Sequence, residues 1–261
     1  MRKPVPTSDE LWVCHLGHLP YSDGVAIQET LRARRQAGEL PDTMLLLEHP
    51  PVYTRGRRVG GQDLPFPESF YRAKGIDVAD TDRGGKLTYH GPGQLVGYPI
   101  MAIDDVGRYL RAMEAAIIDA LAVEGIGARS RASEGIDYTG VWVQDRKIAS
   151  IGVHVSRSVT THGFAVNVDN DLQPFSWVVA CGLPDVQMTS IAHELDTAHA
   201  PGLPCFRKEM AYRFCEAQGR RQRLVSARRL GIDTTRAIRA APIGAEPIES
   251  IACASLEAVG A

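Results

Sequence analysis

The chain holds five lysines, Lys3, Lys74, Lys86, Lys147 and Lys208, against 24 arginines, so an amine that does chemistry comes from a short list. Lys147 opens KIASIGVH, a β-like stretch of small residues where an inward ammonium is costly unless it meets an anion. Cys181 lies in VVACGLPD, behind Trp177, Val178 and Val179 and just ahead of Gly182 and Pro184. A thiol with a pKa near ~8.5 is only a few per cent thiolate at neutral pH, so a nucleophilic cysteine needs a cation or a helix N-terminus beside it. A Lys147–Cys181 pair meets both needs, the ammonium favouring the thiolate and the thiolate balancing the charge. Neither residue alone requires the pair, because a free cysteine in apolar surroundings is most often a small buried hydrophobe. His90, His154 and His162 are alternative bases, each more commonly a hydrogen-bonded structural histidine.

The densest run of unusual residues is RGGKLTYHGPGQ, Arg83 to Gln94. Its four glycines and one proline set a backbone path that approaches something closely, while Arg83, Lys86, Thr88, Tyr89, His90 and Gln94 supply polar groups. It matches neither G-x-x-x-x-G-K-[ST] nor G-x-G-x-x-G, so a nucleotide site does not follow. Cys14, His15 and His18 are metal-ligand types, but strand alternation sends Cys14 and His15 to opposite faces, which argues against zinc.

The elements that must position these groups are legible from pattern. Leu11 to Leu16 reads as a strand, Ser22 to about Gln36 as a helix with Ser22 as N-cap and Gly38 as stop, and Thr43 to Glu48 as a buried strand. Residues 55 to 70 read as an irregular loop. Asp104 to Glu124 is the clearest helix, with Val106, Leu110, Met113, Ile117, Ala120 and Leu121 at three- and four-residue steps and Gly125 behind it. YTGVWV, KIASIGVHV and HGFAVNV, between Asp137 and Val168, read as three antiparallel strands with a turn at Gln144, Asp145 and Arg146. From Gln218 to Ala240 seven arginines face one acid, which predicts a fraying helix and then a poorly ordered tail.

With 261 residues, 44% hydrophobic and 23% charged, the chain fits one α/β domain with a tail and excludes collagen, coiled-coil and wholly disordered classes. A net charge of −2 argues against a nucleic-acid partner, and no apolar run approaches the ~18 residues of a membrane span. Five cysteines at irregular spacing, with no signal segment, suit a reduced, cytoplasmic protein whose cysteines are buried or reactive rather than bridged.

Four blocks in order, LLLEHPPVYTRGRR at 45–58, RGGKLTYHGPGQLVGYPI at 83–100, GVWVQDRKIASIGVHVSRSVTTHGFAVNV at 140–168 and ACGL at 180–183, resemble the lipoyl(octanoyl) transferases. The resemblance spans roughly residues 11 to 215. It implies a mixed α/β (α+β) sheet flanked by helices, as in the catalytic domain of biotin and lipoate protein ligases, with residues 1–217 as the catalytic domain and 218–261 as an arginine-rich tail of no assigned role. It implies that Cys181 is the acyl-thioester nucleophile and that Lys147 lowers its pKa and serves as base. By the same resemblance Arg83, Gly84, Gly85, Lys86, Leu87, Thr88, Tyr89 and His90 line the acyl substrate, joined by Ser150, Ile151 and Gly152 and by Gly163, Phe164 and Ala165. Val141, Val143, Ile148 and Val153 are expected to add apolar lining, each buried CH₂ of the chain contributing ~0.8 kcal/mol.

The implied reaction moves an octanoyl group from octanoyl-acyl carrier protein to Cys181, and from there to one lysine of a lipoyl domain, in 2-oxoacid dehydrogenases or the H protein of the glycine cleavage system. Thioester exchange is near balance and thioester to amide is downhill, so no ATP, metal or other cofactor is expected. Arg57 and Arg58 are candidate contacts for an acidic carrier protein. The main alternative is an ATP-dependent lipoate protein ligase on the same fold, told apart by its need for ATP and its indifference to loss of Cys181. An octanoyl relay between lipoyl domains, a non-catalytic binding module and a thioesterase are more distant readings.

Overall fold

The computed structural model describes residues 9–179, 186–195 and 200–233. The first strand, β1 (Glu10–His18), leads into helix α1 (Tyr21–Ala37), which Gly38 ends in the left-handed conformation, its amide donating to Arg34 and Arg35 carbonyls. The helix starts one residue before Ser22 with Pro20 at the cap position, so Ser22 is not the N-cap. Proline's fixed φ and missing N–H suit that entry. β2 (Thr43–Glu48) is buried along nearly its whole length, matching its uninterrupted apolar sequence. A short second sheet follows, from β3 (Val52–Arg55), β4 (Asp77–Asp80) and β5 (Leu87–His90), with helix α2 (Glu68–Ala73) between the first two.

β6 (Gln94–Ile100) returns the chain to the main sheet. Helix α3 (Val106–Val123) then begins at Asp105, whose side chain accepts from the Arg108 amide, and buries Tyr109, Met113, Ile117, Ala120 and Leu121 on one face. The expected antiparallel trio is β8 (Gly140–Val143), β9 (Arg146–Ser156) and β10 (Val159–Asn167), preceded by the two-residue β7 (Arg129–Ser130). Two helices, α4 (Ile191–Leu195) and α5 (Leu203–Ala217), complete the helical layer.

Among the described residues the main sheet has eight strands, the last in sequence being β11 (Arg221–Leu224), in the order β11-β1-β2-β6-β10-β9-β8-β7, with mixed directions. Its largest core lies under α3 and α5, where Leu46, Leu95, Phe164 and Val166 meet Met113, Ile117, Phe206, Met210 and Phe214. α1 covers Leu45, Leu47, Val96 and Tyr98 on the opposite face. β11 (Arg221–Leu224) falls where the arginine-rich segment predicted a fraying helix. It pairs in parallel with β1, from Glu10 opposite Arg221 to Val13 opposite Leu224, so an edge that accepts backbone bonds overrides a sequence with no strand alternation.

Cys14 and Cys215 are free and buried. Cys205 lies in the first turn of α5. Among the described residues no helix is long and apolar enough to cross a membrane.

Candidate active site

Past Ser150 the edge of β9 runs beyond its partner β8, and the Arg83–Lys86 loop fills the gap: the Gly84 amide donates to the Val153 carbonyl at 2.9 Å. Gly152 is required here, because a Cβ on it would lie 2.7 Å from the Gly84 carbonyl. Between this loop, β9 and β10 runs a cavity of about 230 Å³, below the ~300–1,000 Å³ of sites for drug-sized molecules and suited to a single narrow chain. Gly84, Gly85, Lys86, Leu87, Thr88 and His90 line it, as do Ser150, Ile151, Gly152, Gly163, Phe164 and Ala165. Val106, Leu110 and Ile136 close it on the α3 side.

Lys147 is on the wall of this cavity and only 2% exposed. Its Nζ stands 5.3 Å from the centre of the Trp142 ring, and its side chain lies against Gly140, where a Cβ would come within 2.7 Å of the lysine Cε. Gly140 also has a φ of +136°, so the position demands glycine twice over. The Lys147 amide donates to the Gln187 carbonyl at 2.8 Å, and its carbonyl accepts from the Thr189 amide at 3.0 Å. This ties the chain that follows Cys181 to the lysine-bearing strand. Cys181 itself, with the rest of the ACGL block, lies outside the described residues.

Arg83 lines the cavity, but its guanidinium donates to Thr54 Oγ1, to the Thr54 carbonyl and to the Gly84 carbonyl, so it props the loop from behind. At the mouth Asp137 faces Arg58 at 2.8 Å and Lys86 at 3.7 Å. Tyr89 turns away into a separate cluster with Tyr53 and Phe175, on the side of β5 opposite its neighbours Thr88 and His90. Val141, Val143 and Ile148 are spent in the core below α3 and α5, and of the four expected apolar lining residues only Val153 reaches the cavity.

Several lining groups escaped the sequence reading, above all Tyr21 and Tyr98. Behind them His49 Nδ1 donates to the Leu19 carbonyl at 2.6 Å, which leaves Nε2 to accept from Tyr98 Oη at 2.7 Å. Burial holds His49 near a pKa of about 4, so it stays neutral. His90 Nδ1 donates to Gln94 Oε1 at 2.7 Å, and Gln94 passes the network to Asn167, which in turn donates to the Thr189 carbonyl. Burial drives the His90 pKa well below its ordinary value. His162, which adopts a φ of +58°, bonds Asp82 through Nε2 at 2.8 Å, and His154 faces the same carboxylate at 3.4 Å, so neither is poised over the cavity as a general base. Cys14 and His15 lie on opposite faces of β1, and no group of three or more metal-ligand residues forms among the described residues.

The arrangement is a narrow, largely apolar channel with a buried amine on its wall and neutral polar groups at its far side, the equipment to hold an alkyl chain and move a proton beside its carbonyl. Residues 20–213 match the family described as the lipoyl protein ligase A/B catalytic domain. The chain belongs to that family. Within it the chain is 50% identical over 172 residues to the octanoyltransferase of Solibacter usitatus, covering 64% of this chain and 76% of the relative. It is 45% identical over 195 residues to that of Chloroflexus aggregans, covering 72% and 86%. It is 37% identical over 218 residues to the mitochondrial octanoyltransferase of Arabidopsis thaliana, covering 79% and 91%. The fold is that of a lipoate-protein ligase A solved with ATP, at a TM-score of 0.71 and 18% identity over 83% of this chain and 89% of the other. The bi-partite lipoate protein ligase of Thermoplasma acidophilum gives 0.65 and 17% over 83% and 87%. At those identities the ligases share architecture, which meets the expectation of a mixed sheet flanked by helices.

Proposed function

We infer that the chain is an octanoyltransferase of protein lipoylation, a reading carried by a narrow alkyl channel with Lys147 on its wall in a chain of this family. Cys181 is the nucleophile. Gln187, whose carbonyl holds the Lys147 amide, is six positions further on, so an extended tether of at most ~20 Å keeps the thiol within reach of the cavity. The Cys181 thiolate, favoured by the Lys147 ammonium, attacks the carbonyl of an octanoyl thioester on an acyl carrier protein. A new C–S bond forms, the donor C–S bond breaks, and the departing thiolate takes a proton from Lys147. In the second step the ε-amine of a lipoyl-domain lysine attacks the acyl-enzyme and gives its proton back to Lys147, while Cys181 leaves as thiolate. The octanoyl chain lies along Leu110, Ile151, Val153 and Phe164, contributing ~0.8 kcal/mol for each CH₂ removed from water. Arg58 and Lys86 at the mouth are the first contacts for an acidic carrier protein, and the cytoplasm is the proposed site of action.

Intact-mass spectrometry after mixing the protein with octanoyl-acyl carrier protein, without ATP, tests the reading. The expected result is one octanoyl adduct that is absent in Cys181→Ser and that discharges onto a lipoyl domain. Modification of the lipoyl domain only with free acid and ATP, unaffected by Cys181→Ser, would overturn it in favour of a ligase.

A further inference from the structure

The channel has two chemically different ends. Continuing the register of β6, β10 and β9 places Lys147 level with Gly93, whereas Tyr98 lies five residues further along β6 and two strands across. The two Cα positions are therefore roughly 20 Å apart by strand geometry, and both side chains line the same cavity. The Lys147 end is where the carbonyl reacts. Towards the other end the rings of Tyr21, His49, His90 and His162 pack in one cluster around Tyr98, and all of these but His49 line the cavity.

Two of the four cavity-lining rings present hydrogen-bonding capacity that the protein leaves unused. Tyr98 Oη is spent on His49 and His162 Nε2 on Asp82. Tyr21 is 8% exposed, burial raises its pKa, and its Oη, near the Thr81 hydroxyl, has no hydrogen-bond partner within range among the described residues. His90 is 6% exposed, and with Nδ1 donating to Gln94, its Nε2 is a bare acceptor without a partner among the described residues. The Tyr21 and His90 rings stack at 6.2 Å and 13°, so the two residues share one part of the cavity wall. A saturated chain offers neither atom anything, and covering an unsatisfied polar group costs roughly ten- to a hundredfold in binding.

Resting on the acyl-transfer reading, we propose that Tyr21 Oη and His90 Nε2 hold water at the far end of the channel and so set the length of chain it takes. A chain that stops short of this floor leaves the water in place. A longer saturated chain must strip it away and is rejected, while a chain of the same length tipped with a hydroxyl replaces the water and is accepted. Neutral His90, kept uncharged by burial, suits a floor that tolerates an alkyl tip nearby.

The test is kcat/KM for hexanoyl, octanoyl, nonanoyl, decanoyl and 8-hydroxyoctanoyl carrier-protein thioesters, in the wild type and in Tyr21→Phe. Nonanoyl and 8-hydroxyoctanoyl differ only in a terminal methyl or hydroxyl. The wild type is expected to prefer the hydroxylated chain about tenfold, and Tyr21→Phe to lose that preference and to raise the decanoyl-to-octanoyl ratio about tenfold. Unchanged ratios in Tyr21→Phe would overturn the floor in favour of a wall made by bulk alone, since the ring is retained. If Tyr21→Phe does not fold, nonanoyl equal to or better than 8-hydroxyoctanoyl in the wild type overturns it. Absence of turnover with every chain would instead overturn the acyl-transfer reading on which the floor rests.

Discussion

At the scale of single residues the site separates an amine that acts from imidazoles that do not. Lys147→Ala is expected to slow acyl-adduct formation by at least about a hundredfold with the fold intact, read by time-resolved mass spectrometry. The histidines matter for stability. His15 and His49 are held near about 4, and burial also lowers His90 and His162, so in each case the unfolded chain takes the proton first. Their stabilising contribution is complete above a pH of ~6.5 and lost as pH falls toward the folded values, for His49 roughly 2 kcal/mol by pH 5. His18, raised by its bond to Glu48, works the other way, gaining as pH falls below its folded value. The urea midpoint should therefore drop between pH 7 and pH 5, and His49→Gln should flatten that slope while starting from a lower midpoint. Lys147 was legible because lysine is scarce in this sequence and an inward lysine on a strand of small residues is anomalous. Tyr21, His49 and Tyr98 were not, because Tyr21 opens α1, His49 follows β2 and Tyr98 lies in β6, and they become part of a site only when these segments meet.

Among the elements, strands with a strong apolar period and the helix capped by Asp105 follow directly from sequence: β2 has the expected bounds, and the ends of β1 and α3 differ from the expected ones by one or two residues. What pattern cannot supply is the partner of an edge. The Arg83–Lys86 loop reads as glycine-rich, yet its reason is a backbone contact with β9, visible only once both are in place. Gly152→Ala puts a methyl 2.7 Å from the Gly84 carbonyl and should lift the loop from the strand, costing at least tenfold in kcat/KM. Because the loop lies at the rim, the thermal midpoint should move by only a few degrees. β11 shows the same limit from the other side: the arginine-rich segment predicts a fraying helix, while Arg223 in β11 and Arg229 beyond it stack on Trp12 at 5.6 and 5.2 Å and the β11 backbone completes the sheet.

For the molecule as a whole, the sheet places the end of the structural unit beyond residue 217. Leu230 is 1% exposed, its carbonyl accepts from Arg34, and Arg220 faces the buried Asp42 carboxylate that Arg35 also holds. Truncation after Asp233 is expected to leave the thermal midpoint unchanged, whereas truncation after Ala217 should lower it by about 5–10 °C, from loss of Leu230 burial and one of the guanidinium groups at Asp42. Calorimetry of the two truncated chains distinguishes them. The pairing of β11 with β1 also has a consequence for how the protein is made. The two strands are about two hundred residues apart, and at ~5–20 residues per second the ribosome exposes the outer edge of β1 for roughly ten to forty seconds before its mate emerges. During that interval the nascent sheet carries an open row of amides and carbonyls, so crowding of unfinished chains, rather than heating of finished ones, is the condition under which this protein should aggregate first.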